Sequence, residues 1–211
     1  MKTNAIAVMA SGKGSNLKAI LDAAKLGQCP VDVRLVLSDK ADAGALEIAR
    51  LAGVPEVVCL NPGDYAGRAA FDAACANVID AAGCNWVVLA GYMRILYTDF
   101  IEHFRNRVIN IHPALLPAFP GAHSVEDALH HGVKVTGVTV HLVDEVLDGG
   151  PILAQATVPV MDDDTVQNLH NRIHVEEHKL YPATLSRMIE EGFDLDGRKV
   201  IWGRVSKNRE S

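Results

Sequence analysis

Asn110-Ile111-His112-Pro113 and, in a later loop, Asp148-Gly149-Gly150 supply an amide, an imidazole and a carboxylate. An amide can donate a hydrogen bond to a developing oxyanion. An imidazole can carry a proton near neutral pH. A carboxylate can fix the imidazole tautomer or join a proton relay. These are the parts of an acyl transfer. No serine or cysteine stands in a recognisable nucleophile elbow, so the attacking group has to come from the substrate. Taken alone, Asn110–His112 is equally a capped strand end with a buried histidine. Asp148-Gly149 alone is equally a hairpin turn, where Asp-Gly is common. The occurrence of both segments in one chain favours the chemical reading.

Two more loops carry chemical signals. Ser11-Gly12-Lys13-Gly14-Ser15-Asn16 lies between a strand and a helix pattern. Glycines there allow close backbone approach, and the helix N-terminus offers free N–H groups to an anion such as phosphate. The alternative is a plain tight turn with Ser15 or Asn16 capping the helix. The loop is neither a Walker A sequence nor G-x-G-x-x-G, so ATP and NAD are poorly supported. Gly91-Tyr92-Met93-Arg94-Ile95-Leu96 joins an apolar surface to one guanidinium, suited to a flat heterocycle with polar edges; its alternative is a helix start packed on the core.

The histidines are read one by one. His170, His174 and His178 recur every four residues and share one helix face. His174–His178 also fits the H-x-x-E-H pattern of some zinc peptidases. A catalytic zinc needs a third protein ligand and an open position. The segment that follows His178 offers no obvious second ligand pair. Glu177 therefore reads as a group reaching toward a substrate amine or hydroxyl, and no metal is expected. His141, inside a strand pattern, is as readily a satisfied core residue as a functional one. His123, after Phe119-Pro120-Gly121, reads as support for the loop behind His112. His103, His130 and His131 carry weaker signals.

The elements that must position these groups follow from periodicity. Strands are expected at Ala5–Ala10, Val31–Ser38, Val54–Leu60, Trp86–Ala90 and Val108–His112. Helices are expected at Asn16–Lys25, Ala45–Ala52 with Gly53 as C-cap, and Asp64–Ala82 closed by Gly83. Val135–Val143 and Ile152–Val160 read as two long antiparallel strands. Thr165–Glu191 reads as a long helix kinked or broken at Pro182. Lys199–Val205 reads as a small strand, with the last six residues frayed. The fold class is α/β: an open, mostly parallel sheet with helices on both faces, a Rossmann-like N-terminal half and an antiparallel extension in the C-terminal half. Asn110 and His112 share one strand face at a carboxyl end, where open α/β sheets bind ligands.

Composition narrows the class. A chain of 211 residues fits one domain. Folding at this size removes roughly 70% of the unfolded chain's surface from water. The residues are 49% hydrophobic and 22% charged, the balance of a globular protein. The net charge is −6, which argues against a nucleic-acid partner. No apolar run approaches the roughly 20 residues of a membrane span. Met1–Asn4 runs straight into a short strand, unlike a signal peptide. Cys29, Cys59, Cys75 and Cys84 form no Cys-x-x-Cys and read as reduced thiols of a cytoplasmic protein.

S-G-x-G-S-N at 11–16, G-Y-M-R-I-L at 91–96, N-I-H-P-x-L-L-P at 110–117 and L-D-G-G-P at 147–151 occur in this order. From about Asn4 to Gly203 the chain resembles the phosphoribosylglycinamide formyltransferases, the folate-dependent transformylases of purine synthesis. The resemblance implies formyl transfer from 10-formyltetrahydrofolate, as cosubstrate, to the amine of glycinamide ribonucleotide, with no metal. It implies Asn110, His112 and Asp148 as the catalytic trio, and Gly14, Ser15 and Asn16 as the ribonucleotide phosphate loop. His174 and Glu177 would hold the ribonucleotide. Met93, Arg94, Ile95 and Leu96, with Asn110 and the Asp144–Asp148 loop, would wall the folate, and Arg68 would lie near its glutamate tail. Residues of about 1–105 would form a phosphate- and nucleotide-binding half of the single domain, and about 106–211 a folate-binding and catalytic half. The partners implied are small molecules, with no nucleic acid or membrane, and a monomer or homodimer. Lys13 stands where the family often has Asn or Arg, Ala122 where it has a bulkier residue, and His174 where it has a neutral polar one. The rivals are a formyltetrahydrofolate deformylase, which normally carries an extra N-terminal domain for which the start at Asn4 leaves no room, and more remotely a zinc hydrolase. A methionyl-tRNA formyltransferase would add a C-terminal domain and a basic surface. A non-catalytic nucleotide-binding module would not need the trio.

Overall fold

Every residue of Ala5–Met9 is buried, as a strand covered on both faces requires. The computed structural model describes residues 4–203, and this strand, β1, is interior to a seven-stranded sheet. The other elements are α1 (Ser15–Lys25), β2 (Asp32–Ser38), α2 (Gly44–Leu51), β3 (Glu56–Cys59), α3 (Arg68–Ala81), β4 (Trp86–Leu89), α4 (Thr98–His103), β5 (Val108–His112), α5 (Ser124–His131), β6 (Val135–Leu142), β7 (Ile152–Pro159), α6 (Val166–Glu190), β8 (Phe193–Asp196) and β9 (Lys199–Trp202). The sheet order is β3-β2-β1-β4-β5-β6-β7. β1 to β5 pair in parallel, and β6 and β7 extend the sheet antiparallel. β8 and β9 form a separate hairpin.

Alternation divides the strands between two cores. Ile6, Val8, Val36, Val88, Ile109, Ile111, Val138 and Val140 pack with Leu17, Ile20, Ala45 and Ala49 of α1 and α2 and with Ile173, Tyr181 and Leu185 of α6. Ala7, Met9, Leu35, Leu37, Val87, Leu89 and Val108 pack with Phe71, Cys75 and Ile79 of α3 and with Phe100 of α4. The strand order reverses at β1: β2 lies on one side of it and β4 on the other. The crevice above the carboxyl ends of β1 and β4 is the switch point at which open α/β sheets bind ligands.

Several expectations shift. α3 begins at Arg68, not Asp64. Asn61 Oδ1 accepts from Gly63 N at 3.1 Å in a 3-10 turn, and Gly67 takes φ +107 before the helix starts. β3 is a four-residue edge strand, shorter than Val54–Leu60. α6 does not break at Pro182 and runs for 25 residues. Proline costs the bond to the His178 carbonyl. The adjacent Tyr181 is fully buried, and its hydroxyl proton is shared between the carbonyls of Leu89 and Ile109 at 3.0 and 3.1 Å, which ties this part of α6 to the sheet. α4, α5 and β8 are short elements that periodicity does not isolate. β9 covers the start of the expected Lys199–Val205 strand; Val205 and the last six residues lie outside the described residues. Among the described residues no helix is long and apolar enough to cross a membrane. Cys29, Cys75 and Cys84 are buried and Cys59 is exposed, all as free thiols.

Gly137 of β6 lies against the Ala156 carbonyl and Leu115, the first leucine of the Leu-Leu-Pro run. A Cβ here collides with both. Gly137→Ala should destabilise the fold by about 1–3 kcal/mol, as overpacking does. Urea unfolding should show the midpoint falling with an unchanged slope.

Candidate active site at the carboxyl edge of the sheet

Asn110 and His112 of β5 pair across the ladder with His141 and Thr139 of β6. All four side chains leave one face of the sheet. α3 and α4 cover the neighbouring part of that face; over β5 and β6 the roof is made by the 113–123 and 143–150 loops. Thr139 fixes the first loop: its hydroxyl donates to the Ala114 carbonyl at 2.7 Å and accepts from Leu116 N at 3.0 Å. Asp148 fixes the two loops to each other. Its Oδ2 accepts from Gly121 N at 2.8 Å and lies 3.5 Å from His112 Nδ1. Gly150 abuts the Leu142 carbonyl so closely that a side chain has no room, which brings Asp148 back over the sheet. Asp148 takes φ +51 and Phe119 φ +53, a region uncommon outside glycine and found often at functional sites.

Asn110, His112 and Asp148 thus converge. His112 Nε2 donates to the Phe119 carbonyl at 2.8 Å, so its two ring nitrogens face a carbonyl and a carboxylate. His141 joins the group, which periodicity alone left open. Its Nδ1 donates to the Leu142 carbonyl at 2.9 Å, and Asn110 Nδ2 sits 3.3 Å from its Nε2. Burial first of all holds His141 below the usual imidazole range. The neutral ring accepts at Nε2, which orients the Asn110 amide and leaves its second N–H free. His141 Nε2 is also 3.7 Å from Asp148 Oδ1. The cross-strand pairing of 110 and 141 could have revealed this, had the β5–β6 register been known.

The glycine loop forms the second part of the site. Gly14 is the N-cap of α1 at φ +79, and no side chain caps the helix, so the alternative of a Ser15 or Asn16 cap is not what forms. A Cβ on Gly14 would stand 2.7 Å from Ala45 Cα. The N–H groups of the first turn are left to bind an anion. Asn16 donates from Nδ2 to Glu177 Oε2 at 2.9 Å, both residues buried. Burial first of all pushes the Glu177 carboxyl above its usual range, against the Asn16 bond. His174 Nε2 lies 3.8 Å from the same oxygen.

The 91–96 loop is the third part, and it is a loop, not a helix start. Ser11 bolts it to the glycine loop: its N–H donates to the Gly91 carbonyl at 3.1 Å and its hydroxyl accepts from Met93 N at 3.0 Å. Met93 and Ile95 are 71% and 59% exposed, whereas Leu96 is buried in the α3 core. The Arg94 guanidinium turns inward over the Phe71 ring, 5.0 Å from its centroid. Arg68, exposed at the start of α3, stacks over Tyr97 at 5.3 Å. Asp144 accepts from Val146 N at 2.9 Å and shapes the turn that leads to Asp148. His123 does not reach His112; it is exposed and pairs with Glu126 at 3.1 Å. His103 pairs with Asp80. Among the described residues no three His, Cys, Asp or Glu side chains are arranged to share a metal ion.

The comparisons agree with this architecture. A phosphoribosylglycinamide formyltransferase of Mycobacterium tuberculosis is 47% identical over 199 residues, covering 94% of this chain and 91% of that one. The solved structure of glycinamide ribonucleotide transformylase 1 from Symbiobacterium toebii matches with a TM-score of 0.92 at 48% identity, covering 95% and 94% of the two chains. A formyltetrahydrofolate deformylase from Pseudomonas syringae is more distant, at 27% identity and a TM-score of 0.86, with 95% of this chain but 66% of that one covered. The formyl transferase family matches residues 4–185. With the matched segment spanning all three loops and the face that carries Asn110 and His112, the chain belongs to the formyl transferase family.

Proposed function

We propose that this chain transfers the formyl group of 10-formyltetrahydrofolate to the amine of glycinamide ribonucleotide, giving formylglycinamide ribonucleotide and tetrahydrofolate in purine synthesis. The observation that carries the reading is the approach of Asp148 to His112 at 3.5 Å beside Asn110, together with an uncapped helix start at Gly14 and exposed apolar side chains on the 91–96 and 143–150 loops. The work is done in the cytoplasm on small molecules, by a monomer or homodimer, without nucleic acid or membrane.

The two substrates take different walls. Met93 and Ile95 on one loop and Val146 and Leu147 on another leave large apolar side chains in solvent, a fit for a flat ring system. The folate lies there, against the backbone of residues 93–96 and the Asp144 turn, with its glutamate tail toward Arg68. When bound, it supplies a formyl carbon activated on nitrogen. The ribonucleotide phosphate takes the first-turn N–H groups at Gly14, Ser15 and Asn16, and Glu177 takes the ribose. The phosphate loop lies in the half of about 1–105 and the catalytic groups in the folate-binding half of about 106–211, with both halves lending residues to each ligand wall. The Asn16–Glu177 bond joins those halves.

The nucleophile is the substrate's own amine. As it adds to the formyl carbon, Asn110 donates its free N–H to the oxyanion. His112, anchored at Nε2 by the Phe119 carbonyl, presents Nδ1–H beside it. Asp148 takes part in moving a proton from the amine to the departing folate nitrogen. A carbon–nitrogen bond forms, another breaks, and the proton ends on the leaving nitrogen. Holding both substrates in reacting geometry contributes roughly 7–11 kcal/mol of the barrier.

A paired assay with 10-formyltetrahydrofolate, with and without glycinamide ribonucleotide, tests the reading. Tetrahydrofolate release should depend on the ribonucleotide; equal release in its absence would make the chain a deformylase. Asp148→Asn should lower turnover about 10²–10⁴-fold, the usual weight of a proton-transfer group, while thermal unfolding stays near wild type. Near wild-type turnover in that variant would remove Asp148 from the relay.

Glu177 gives a prediction of opposite signs. A carboxyl with a raised folded pKa binds its proton better in the native state. It therefore favours folding below the ordinary carboxylate range and costs stability as pH rises above it. Glu177→Gln should raise the urea midpoint at pH 7, with the gain shrinking toward pH 4, and should raise the ribonucleotide KM. A lower midpoint at pH 7 would contradict this account.

A further inference from the structure

His170, His174 and His178 form a row along one face of α6. Ring centroids are 4.1 Å apart between His170 and His174 and 6.0 Å between His174 and His178. The row borders Glu177, and Glu177 is bound to Asn16 at the start of α1. It therefore lies beside the glycine loop and its uncapped N–H groups. Lys13 of that loop acts electrostatically on both His170 and His174. The formyl-transfer step uses none of these rings.

The surroundings disfavour the charged form of both His170 and His174. Burial is the first cause for both, pushing each below the ordinary imidazole range. His174 and Lys13 push His170 further down, and Glu177 acts against them. His178 and Lys13 do the same to His174. Glu126 of α5 and His123, just before that helix, face His170 across a cavity of about 150 Å³. His112 of β5 acts on Glu177. A phosphate dianion would reverse the sign of this surrounding, since an opposite charge within about 4–6 Å favours the protonated ring.

We propose that His170 and His174 form a protonatable wall of the ribonucleotide phosphate site, so that binding the phosphate draws a proton from solvent onto this pair. The inference rests on the ribonucleotide reading of the Gly14 loop. The loop supplies fixed N–H donors and Lys13 an ammonium group; the histidines supply a charge that the phosphate favours. Glu177, acceptor-only when ionised, faces the ribose hydroxyls rather than the phosphate. No bond of the substrate changes, and the proton passes from the buffer to a ring nitrogen.

Calorimetric titration of the full chain with glycinamide ribonucleotide at pH 7, in two buffers of different ionisation enthalpy, counts the protons. Uptake of about one-half to one proton is expected, and none with the dephosphorylated riboside. Above pH 7 Kd should weaken by up to about tenfold per pH unit for each proton taken up. The His170→Gln/His174→Gln double variant should bind more weakly, with the uptake gone and the pH profile flattened; His174→Gln alone should lose part of the uptake. Equal heats in the two buffers, or full uptake in the double variant, would overturn the inference while leaving the ribonucleotide site standing. Absence of any ribonucleotide binding by the wild-type chain would instead overturn the reading of the site.

Discussion

Two strands set the terms for everything at the site. On β5 and β6, Ile109, Ile111, Val138 and Val140 are buried in the core that α6 covers. Their alternates, Asn110, His112, Thr139 and His141, must then leave the opposite face. A slip of one residue in either strand would put polar side chains into an apolar core and aliphatic ones beneath the loops. The register is therefore held by hydrophobic burial, and the polar groups inherit their positions from it. The antiparallel direction of β6 is part of the constraint. It brings His141 opposite Asn110 and Thr139 opposite His112, so one strand orients the amide and anchors the loop beyond the imidazole.

The roof over these groups is built against local preference. Phe119 and Asp148 both adopt positive φ, and each is fixed by a hydrogen bond that crosses between loops or from loop to strand. Glu177 is buried and accepts from Asn16, a residue far away in the chain. Such groups cost stability where they stand, and the two apolar cores offset that cost. Tyr181 shows how: its ring fills the α6 core while its hydroxyl ties that helix to the carbonyls of β4 and β5.

The parts legible in the sequence are those with strong local signals. The run Ala5–Ala10, the glycine loop and the strand at Val108–His112 announce themselves by composition. The parallel order with an antiparallel extension follows from their rhythm. What periodicity could not supply is what depends on distant contacts. α4 spans only six residues, too short for a helical period to stand out. α6 continues through Pro182 where Tyr181 packs on the sheet beneath, a distant contact that the local pattern does not show. His141 reads as a core or a functional residue with equal ease, because its role depends on pairing with β5, which lies well before it in the chain. Arg94 looks in sequence like a ligand group, yet its guanidinium lies on Phe71. An arginine in an apolar loop can face either way until the packing behind it is known.

Ser11 completes the argument for why the chemistry needs no protein nucleophile. Its N–H and hydroxyl hold Gly91 and Met93 at once, so the glycine loop and the 91–96 loop are tied together across the switch point. An enzyme that lends no nucleophile must gain its rate from holding two reactants in fixed geometry and from donors aimed where charge develops. Each of those demands a frame that does not yield as either ligand arrives. The two strands give the donors their direction, and the Ser11 link gives the two ligand walls their separation. In the proposed reaction, water could add to the same formyl carbon with the same help from Asn110 and His112. The choice of an amine over water therefore rests on the ribonucleotide side of that frame, where the helix start of α1 meets α6.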